Sequence, residues 1–418
     1  MSRRKRSLWI FLSVVGAVVV SQYFRASNGV IAPELVRDVG LTPEMLGLVN
    51  GSFFVSLALA QIPIGIAFDR FGPRWTITAL TALAVLGSIG FALATTPAAL
   101  LGARVAIGLG CAGSFMGAVT LAARWAPQDR FTQILSWIFS LSNLGTLLAT
   151  TPLAAGSESL GWRATFLIAA IVTALLGVMF AALVRDAPPD HESQTEVPES
   201  LREVLRGVVE VWRTPGLGPV LAIHTVAYAS LLTVQGLWAG AYLSDVHGLD
   251  PVARGNVLLA MAVATVCGVL CYGPMDRRFN TRKGVVTAGA GATATILAAL
   301  SLTPQPSTAV ASALLVALGL VGHYGVVIVA HGRSLFPDRL IGRGVTTVNV
   351  AQSLGCAGLP ILTGTVIGMF ATPEGPVPEA GYRAAFGCLA LVLVTGLLVY
   401  RRAPDSRPIA AKAVDVGN

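Results

Sequence analysis

Residues 65–74 read Gly65-Ile-Ala-Phe-Asp69-Arg70-Phe-Gly72-Pro-Arg74 and join two long apolar runs. Gly72 permits a tight turn, and Gly65 lets neighbouring helices approach closely. Asp69, with Arg70 and Arg74, sets opposite charges at one rim of the apolar segments. A breakable pair there can latch one conformation. A degenerate copy, one residue short, follows as Gly273-Pro-Met-Asp276-Arg277-Arg278.

The runs on either side dictate the environment. Hydrophobic residues make up 54% of the 418 and charged residues 12%, where a soluble domain carries about 25% charge. A soluble protein of this size could not cover its surface with so little charge. A helical span needs about 20 mostly apolar residues. Twelve are read at 8–31, 44–67, 73–95, 97–122, 131–155, 163–184, 217–243, 254–275, 284–302, 306–331, 343–370 and 384–401. Runs this long and continuous fit helices rather than the alternating strands of a barrel. The basic start Met1–Arg6 followed by Leu8–Val20 has the outline of a signal peptide. It continues through Gln22 and Arg25 to Pro33, which fits a first span instead. The fold class is therefore an all-α polytopic membrane protein.

The chain divides six spans and six. Residues 1–184 form the first bundle and 217–402 the second. Between them, 185–216 is a polar linker ending in the amphipathic Leu201–Trp212, suited to lying on a membrane surface. Residues 403–418 read as an unstructured tail. With the N-terminus cytoplasmic, 23 of the 29 Lys and Arg residues fall in tails and loops on the cytoplasmic side. The other six are Arg25, Arg37, Arg104, Arg163, Arg254 and Arg383. Both termini are thus expected in the cytoplasm.

The halves echo one another at offsets a little over 200 residues. Gly161-Trp-Arg-Ala-Thr-Phe166 opens span 6, and Gly381-Tyr-Arg-Ala-Ala-Phe386 opens span 12. Arg185-Asp-Ala-Pro188 closes one and Arg401-Arg-Ala-Pro404 the other. Pro127-Gln-Asp-Arg130 after span 4 is matched by Pro337-Asp-Arg339 after span 10. Repeated halves of this kind mark transporters whose site lies at the repeat interface.

The 65–74 loop closely resembles the signature loop of the major facilitator superfamily. Arg104-Val-Ala-Ile-Gly108-Leu-Gly110 resembles that superfamily's span-4 arginine motif. With twelve spans and a central linker, the resemblance covers nearly the whole chain. It implies two six-helix bundles around a central cavity, alternating access, and Gly65, Asp69, Arg70, Gly72, Arg74, Asp276 and Arg277 as gating residues. The Gly-Pro-x-x-Gly-Gly cluster of drug–proton antiporters is missing from span 5, which has Asn143-Leu-Gly145, then Pro152 and Gly156.

Span 1 bears most directly on substrate. Tyr23-Phe-Arg25-Ala-Ser-Asn28-Gly-Val-Ile-Ala-Pro33 resembles span 1 of the organic-anion and organophosphate branch, where an arginine at the position of Arg25 binds the anion. Independently, an arginine within a span is costly and marks a functional site by default. Ser21, Arg25 and Asn28 share one helical face, and a guanidinium offers a planar fork to carboxylate or phosphate. The other reading is a structural arginine, or one that snorkels to the outer edge. Two departures bear on the substrate. The second arginine that phosphate exchangers carry in span 7 is absent, and position 24 is Phe where many proton-coupled organic-anion symporters have Asp. A monoanionic or large, partly aromatic solute is favoured over a doubly charged phosphate ester.

Further substrate candidates are Tyr23, Asn143, Gln235, Trp238 and Asn349, with Trp137 as an alternative stacking surface and packing as the rival role for each tryptophan. Span centres hold almost no carboxylate. His224, His323 and His331 are then the candidates for handling a coupling proton, His323 foremost, and Arg104 is open between coupling and bundle structure. The five cysteines lie in apolar stretches without metal-ligand spacing. There is no phosphate-binding loop, His-Glu-x-x-His or serine elbow, so no enzyme, metal or cofactor is expected. The basic residues sit in short clusters between spans, which does not fit nucleic-acid binding. The expected partners are a small-molecule substrate, a coupling ion and the lipid bilayer. The expectation is a monomeric secondary transporter in a bacterial inner membrane, most simply for an organic anion. An exporter of drugs, metabolites or a siderophore is the first rival, and a transporter-fold sensor the second.

Overall fold

A computed structural model describes residues 3–125, 130–186, 209–337, 340–372 and 375–408. The amphipathic segment 201–212 read from the sequence lies mostly outside them. Twelve helices among the described residues are long and apolar enough to cross a membrane, from Leu8–Val39 to Glu379–Tyr400. Large apolar side chains such as Leu86, Leu175, Leu270 and Leu391 are exposed on these helices, which suits contact with lipid tails.

Local chemistry sets the helix ends. Thr42, Thr96, Thr281 and Ser307 each cap a helix start by accepting a backbone N–H three residues on, at 2.9–3.3 Å. Pro43 and Pro97 follow two of these caps, where a missing N–H costs nothing. Spans 2 and 3 form one helical run, Pro43–Leu93, interrupted at Gly72 with φ 78° and ψ 159°. Gly72 thus makes the turn expected of it. Around Gly65, by contrast, no atom of the described residues lies within 4 Å of an added Cβ, so among them no close helix approach requires a glycine there.

Packing divides the chain into two units. One comprises Met1–Gln194, Gly236–Ser244 and Gly248–Leu259, and the other Thr195–Gln235, Asp245–His247 and Ala260–Asn418. Within the first, a Cβ on Gly145 of span 5 would collide with the Val19 carbonyl oxygen of span 1. Within the second, a Cβ on Gly355 of span 11 would collide with the Thr225 carbonyl oxygen of span 7. The same crossing is built twice. Each unit also closes one rim alike. Asp186, after span 6, accepts from the Arg74 N–H at 2.7 Å, and Asp405, after span 12, accepts from the Lys283 N–H at 3.0 Å.

Among the described residues, four spans are discontinuous, span 5 breaking between Phe131–Leu148 and Thr151–Leu160. Span 4 breaks between Pro97–Cys111 and Ser114–Trp125, and span 10 between Thr308–Val321 and Gly325–Arg333. Span 7 runs from Leu217–Thr233 into a π turn, Val234–Trp238, and then Ala239–Asp245. Broken spans in corresponding places of two halves are where transporters of this build line their sites.

Candidate functional site

In the first unit, spans 1, 2 and 4 bring two arginines to neighbouring aromatic rings. Arg104 is fully buried, its Cζ 4.7 Å from the centroid of Phe53. Arg25 is half-buried, its Cζ 5.6 Å from the centroid of Phe54. The two rings are themselves 5.1 Å apart, edge to face. Cys111, at the break in span 4, lies within electrostatic reach of both guanidinium groups. One turn beyond Arg25, Asn28 is fully buried, and its Nδ2 donates to Asn50 Oδ1 at 3.5 Å.

The hydrogen-bond inventory of this cluster is incomplete. Nε, Nη1 and Nη2 of Arg104, Nε of Arg25 and Oδ1 of Asn28 are enclosed without a partner among the described residues. A desolvated charge left unpaired is among the most costly features a protein interior can hold. A cation–π contact returns about 0.5–2 kcal/mol of that. The remainder calls for an acceptor carrying negative charge. Among the described residues the chain does not supply one. Apart from Glu34, every acidic residue of the spans lies within a few residues of an end, and Glu34 is bonded to Arg254 at 2.6 Å. The arrangement is a pair of arginines with enclosed nitrogens that no described residue satisfies.

The other candidates fall as follows. Tyr23 is half-buried and meets Phe24 edge-on at 5.4 Å. Asn143 is half-buried on span 5, two residues before Gly145. Trp238 is fully buried in the π turn, whereas Trp137 is exposed. In the second unit, Gln235 Nε2, both ring nitrogens of His224 and Nδ1 of His323 are enclosed without a partner among the described residues. His323 sits in the break of span 10 and meets Tyr228 of span 7 edge-on at 5.4 Å. Asn349 is half-buried on span 11. His331 is different: its Nδ1 engages the Tyr400 hydroxyl at 2.7 Å and its Nε2 the Pro404 carbonyl at 2.9 Å. Both nitrogens are engaged at the end of span 12.

At the rim, Arg74 donates through Nε and Nη2 to the Ala181 carbonyl at 2.9 and 2.6 Å. Arg70 is exposed beside Phe71. The side chain of Asp69 lies outside the described set. In the second copy Asp276 pairs with Arg282 at 3.3 Å, and Arg277 is exposed. Sequence reasoning missed Asn50, Phe53 and Phe54. An Asn followed by paired aromatics in span 2 was the available signal. Among the described residues no group of His, Cys, Asp and Glu could hold a metal ion.

Residues 14–360 match the sequence model of the Major Facilitator Superfamily. The chain belongs to the Major Facilitator Superfamily. It is a multi-pass membrane transporter and not an enzyme. It is 24% identical over 97% of its length to a probable sulfoacetate transporter of Cupriavidus necator, covering 98% of that protein. It is 23% identical to a hexuronate transporter of Bacillus subtilis, over 94% of each chain. It is 24% identical to a D-galactonate transporter of Escherichia coli, over 94% of this chain and 96% of that one. Among solved structures, the nucleoside transporter NupG superposes with TM-score 0.77 at 14% identity, over 96% of this chain and 100% of that one. An inward-facing bacterial homologue of the human lysosomal transporter Spinster gives 0.77 at 18%, over 94% and 96%. These likenesses establish the superfamily fold of the whole chain.

Proposed function

We propose that the chain is a secondary active transporter of an organic anion, held by Arg25 and Arg104 and moved by alternating access. The observation that carries this reading is the pair of arginines with enclosed, unpartnered nitrogens in spans whose described interiors lack a free carboxylate. Three relatives are named for sulfoacetate, hexuronate and galactonate, all organic acids. The absence of a span-7 arginine argued against a doubly charged substrate. Arg104, from span 4, makes room for a second negative charge. Asn28 and Asn50 are placed to bond hydroxyl groups of a sugar acid, with Tyr23, Asn143, Gln235, Trp238 and Asn349 as further lining residues.

The coupling ion in this reading is a proton. With no free carboxylate in a described span interior, His224 and His323 are the groups able to carry it. Gly72 and Arg74, with Asp69, Arg70, Asp276 and Arg277, form the cytoplasmic rim that opens and closes. The protein would act as a monomer in a bacterial inner membrane, both termini in the cytoplasm. Proteoliposome uptake of radiolabelled sulfoacetate, galactonate and glucuronate, with and without an imposed proton gradient, tests the reading. Uptake of at least one acid, abolished in Arg25→Ala, is expected. Equal uptake by the variant would remove Arg25 from the site, and no flux of any acid in either direction would refute the class.

A further inference from the structure

The first unit contains two pieces that are distant in sequence from the rest of it: Gly236–Ser244, the outer part of span 7, and Gly248–Leu259, the start of span 8. Both are bound to it by contacts of short range. A Cβ on Gly29 of span 1 would lie 2.6 Å from the Gly236 carbonyl carbon and 2.8 Å from the Leu237 nitrogen, and one on Gly240 would collide with the Gly29 carbonyl oxygen. Backbone therefore lies directly on backbone. Thr151 donates to Asn256 Oδ1 at 3.0 Å, and Gly255 packs on Thr151 and Ala154. The same segments share an ion pair between residues 220 apart in sequence. Arg254 Nη2 donates to Glu34 Oε1 at 2.6 Å, with both side chains at least nine-tenths buried.

This pair is incompletely bonded. Oε2 of Glu34 and Nε of Arg254 are enclosed without a partner among the described residues. A buried ion pair is a poor route to stability, because desolvation cancels much of its attraction. Gly236 begins the first of these pieces within the π turn Val234–Trp238, and π turns inside helices interrupt the regular ladder and recur at functional sites.

We propose that Glu34 and Arg254 form a latch holding the outer ends of spans 1, 7 and 8 together, and that it opens in each transport cycle as span 7 bends at the π turn. An ion pair suits this role. Once water reaches it, both ions regain solvation, so opening costs far less than exposing an equal apolar area. That the latch cycles rests on the transport reading. That it fastens these segments does not.

Hydrogen exchange read by mass spectrometry on the purified full-length protein tests it. In Glu34→Gln, exchange across residues 29–36 and 236–259 should rise roughly tenfold or more, while the capped amides of Lys283 and Gly284 stay at the wild-type rate. The reversed pair, Glu34→Arg with Arg254→Glu, should return the outer segments toward wild type. Unchanged outer exchange in Glu34→Gln overturns the proposal. So does an equal rise at Lys283 and Gly284, which would make the pair a general strut. If the single variant does not fold, the reversed pair decides: protected outer segments support the latch, and unfolding again overturns it. Failure of the wild type to move any organic acid would count against the transport reading and leave the exchange result standing.

Discussion

Asp186 accepts a 2.7 Å hydrogen bond from the backbone N–H of Arg74, across 112 residues of sequence. The contact exists because Gly72 turns the chain with positive φ. A Cβ there would lie 2.7 Å from the Asp186 carboxylate. The carboxylate thereby caps the start of span 3, where exposed N–H groups and the helix dipole favour negative charge. Asp405 repeats the device at Lys283, adding a bond from Thr281 Oγ1 at 2.8 Å. In return, Lys283 Nζ donates to the Arg401 and Ala403 carbonyls at 2.7 and 2.8 Å. Asp186 and Asp405, each just after the last span of its half, are thus matching clasps, one in each unit.

The Asp405 clasp carries a pH signature. Partial burial pushes its carboxyl up, but the bonds from Thr281 and the Lys283 N–H outweigh burial and hold it below the ordinary value of 3.8. A group with a depressed folded value stabilises the fold fully above its unfolded value, and that contribution is lost as pH falls through the folded value. Asp405→Ala should therefore lower the thermal midpoint at pH 7, by the equivalent of about 0.5–2 kcal/mol for a lost cap. The gap from wild type should begin to narrow near pH 4 and go on narrowing as pH falls through the folded value. A gap that does not narrow on acidification would contradict the assignment.

The arginine pair makes a sharper demand. Removing one partner of a buried charge contact costs about 2–5 kcal/mol of binding, so Arg25→Ala and Arg104→Gln should each weaken retention of a transported acid by at least roughly thirtyfold. Arg104→Lys should not rescue, because an ammonium lacks the planar fork. In the absence of anion, Arg104→Met should raise the thermal midpoint, since it removes an unpaired buried charge. Thermal shifts with and without sulfoacetate or galactonate read both effects. A destabilised Arg104→Met would mean that the guanidinium has a partner within the protein.

Much of this was legible before any coordinates. The twelve spans follow from apolar runs that no soluble surface could hide, and Arg25 stands out as a charge within one of them. What the sequence could not reveal was company. Arg104 reads from the sequence as open between bundle structure and coupling, and only the fold encloses its three nitrogens without acceptors among the described residues. Asn50, Phe53 and Phe54 sit in an ordinary apolar stretch, and only the crossing of spans 1, 2 and 4 gives them a role. The break at Gly322–Tyr324 was equally silent, because a Gly-His-Tyr step is compatible with a continuous helix. His331 looked like His323 by type and environment, and only the fold shows that Tyr400 and Pro404 occupy its ring.

His247, between spans 7 and 8, gives a second pH test. Burial lowers its value below the ordinary 6.5, and Glu379 offsets that only in part. Its Nδ1 lies 3.4 Å from the Thr308 hydroxyl. The fold thus favours the neutral ring. That contribution is complete above about pH 6.5 and disappears as pH falls through the lower folded value. The wild type should lose more thermal stability between pH 7 and pH 5 than His247→Gln does. Parallel curves would show that the ring is equally solvated in both states.

The paired glycine crossings predict opposite outcomes for one chemical change. At Gly355 an added methyl group would collide with the Thr225 carbonyl oxygen, and at Gly145 with that of Val19, while also lying 2.9 Å from the Tyr23 nitrogen. Backbone atoms of a packed helix cannot rotate away as a side chain can, so the helices must separate. Forcing extra volume into a packed contact costs about 1–3 kcal/mol. At Gly65 a methyl group meets nothing within 4 Å, and replacing glycine by alanine inside a helix returns roughly 0.5–1 kcal/mol. Gly355→Ala and Gly145→Ala should therefore lower the thermal midpoint in detergent, and Gly65→Ala should leave it unchanged or raise it. If Gly65→Ala keeps its stability but loses transport, the open space beside Gly65 is filled at another stage of the cycle. The glycine would then serve the moving state, where the close approach read from residues 65–74 would be found.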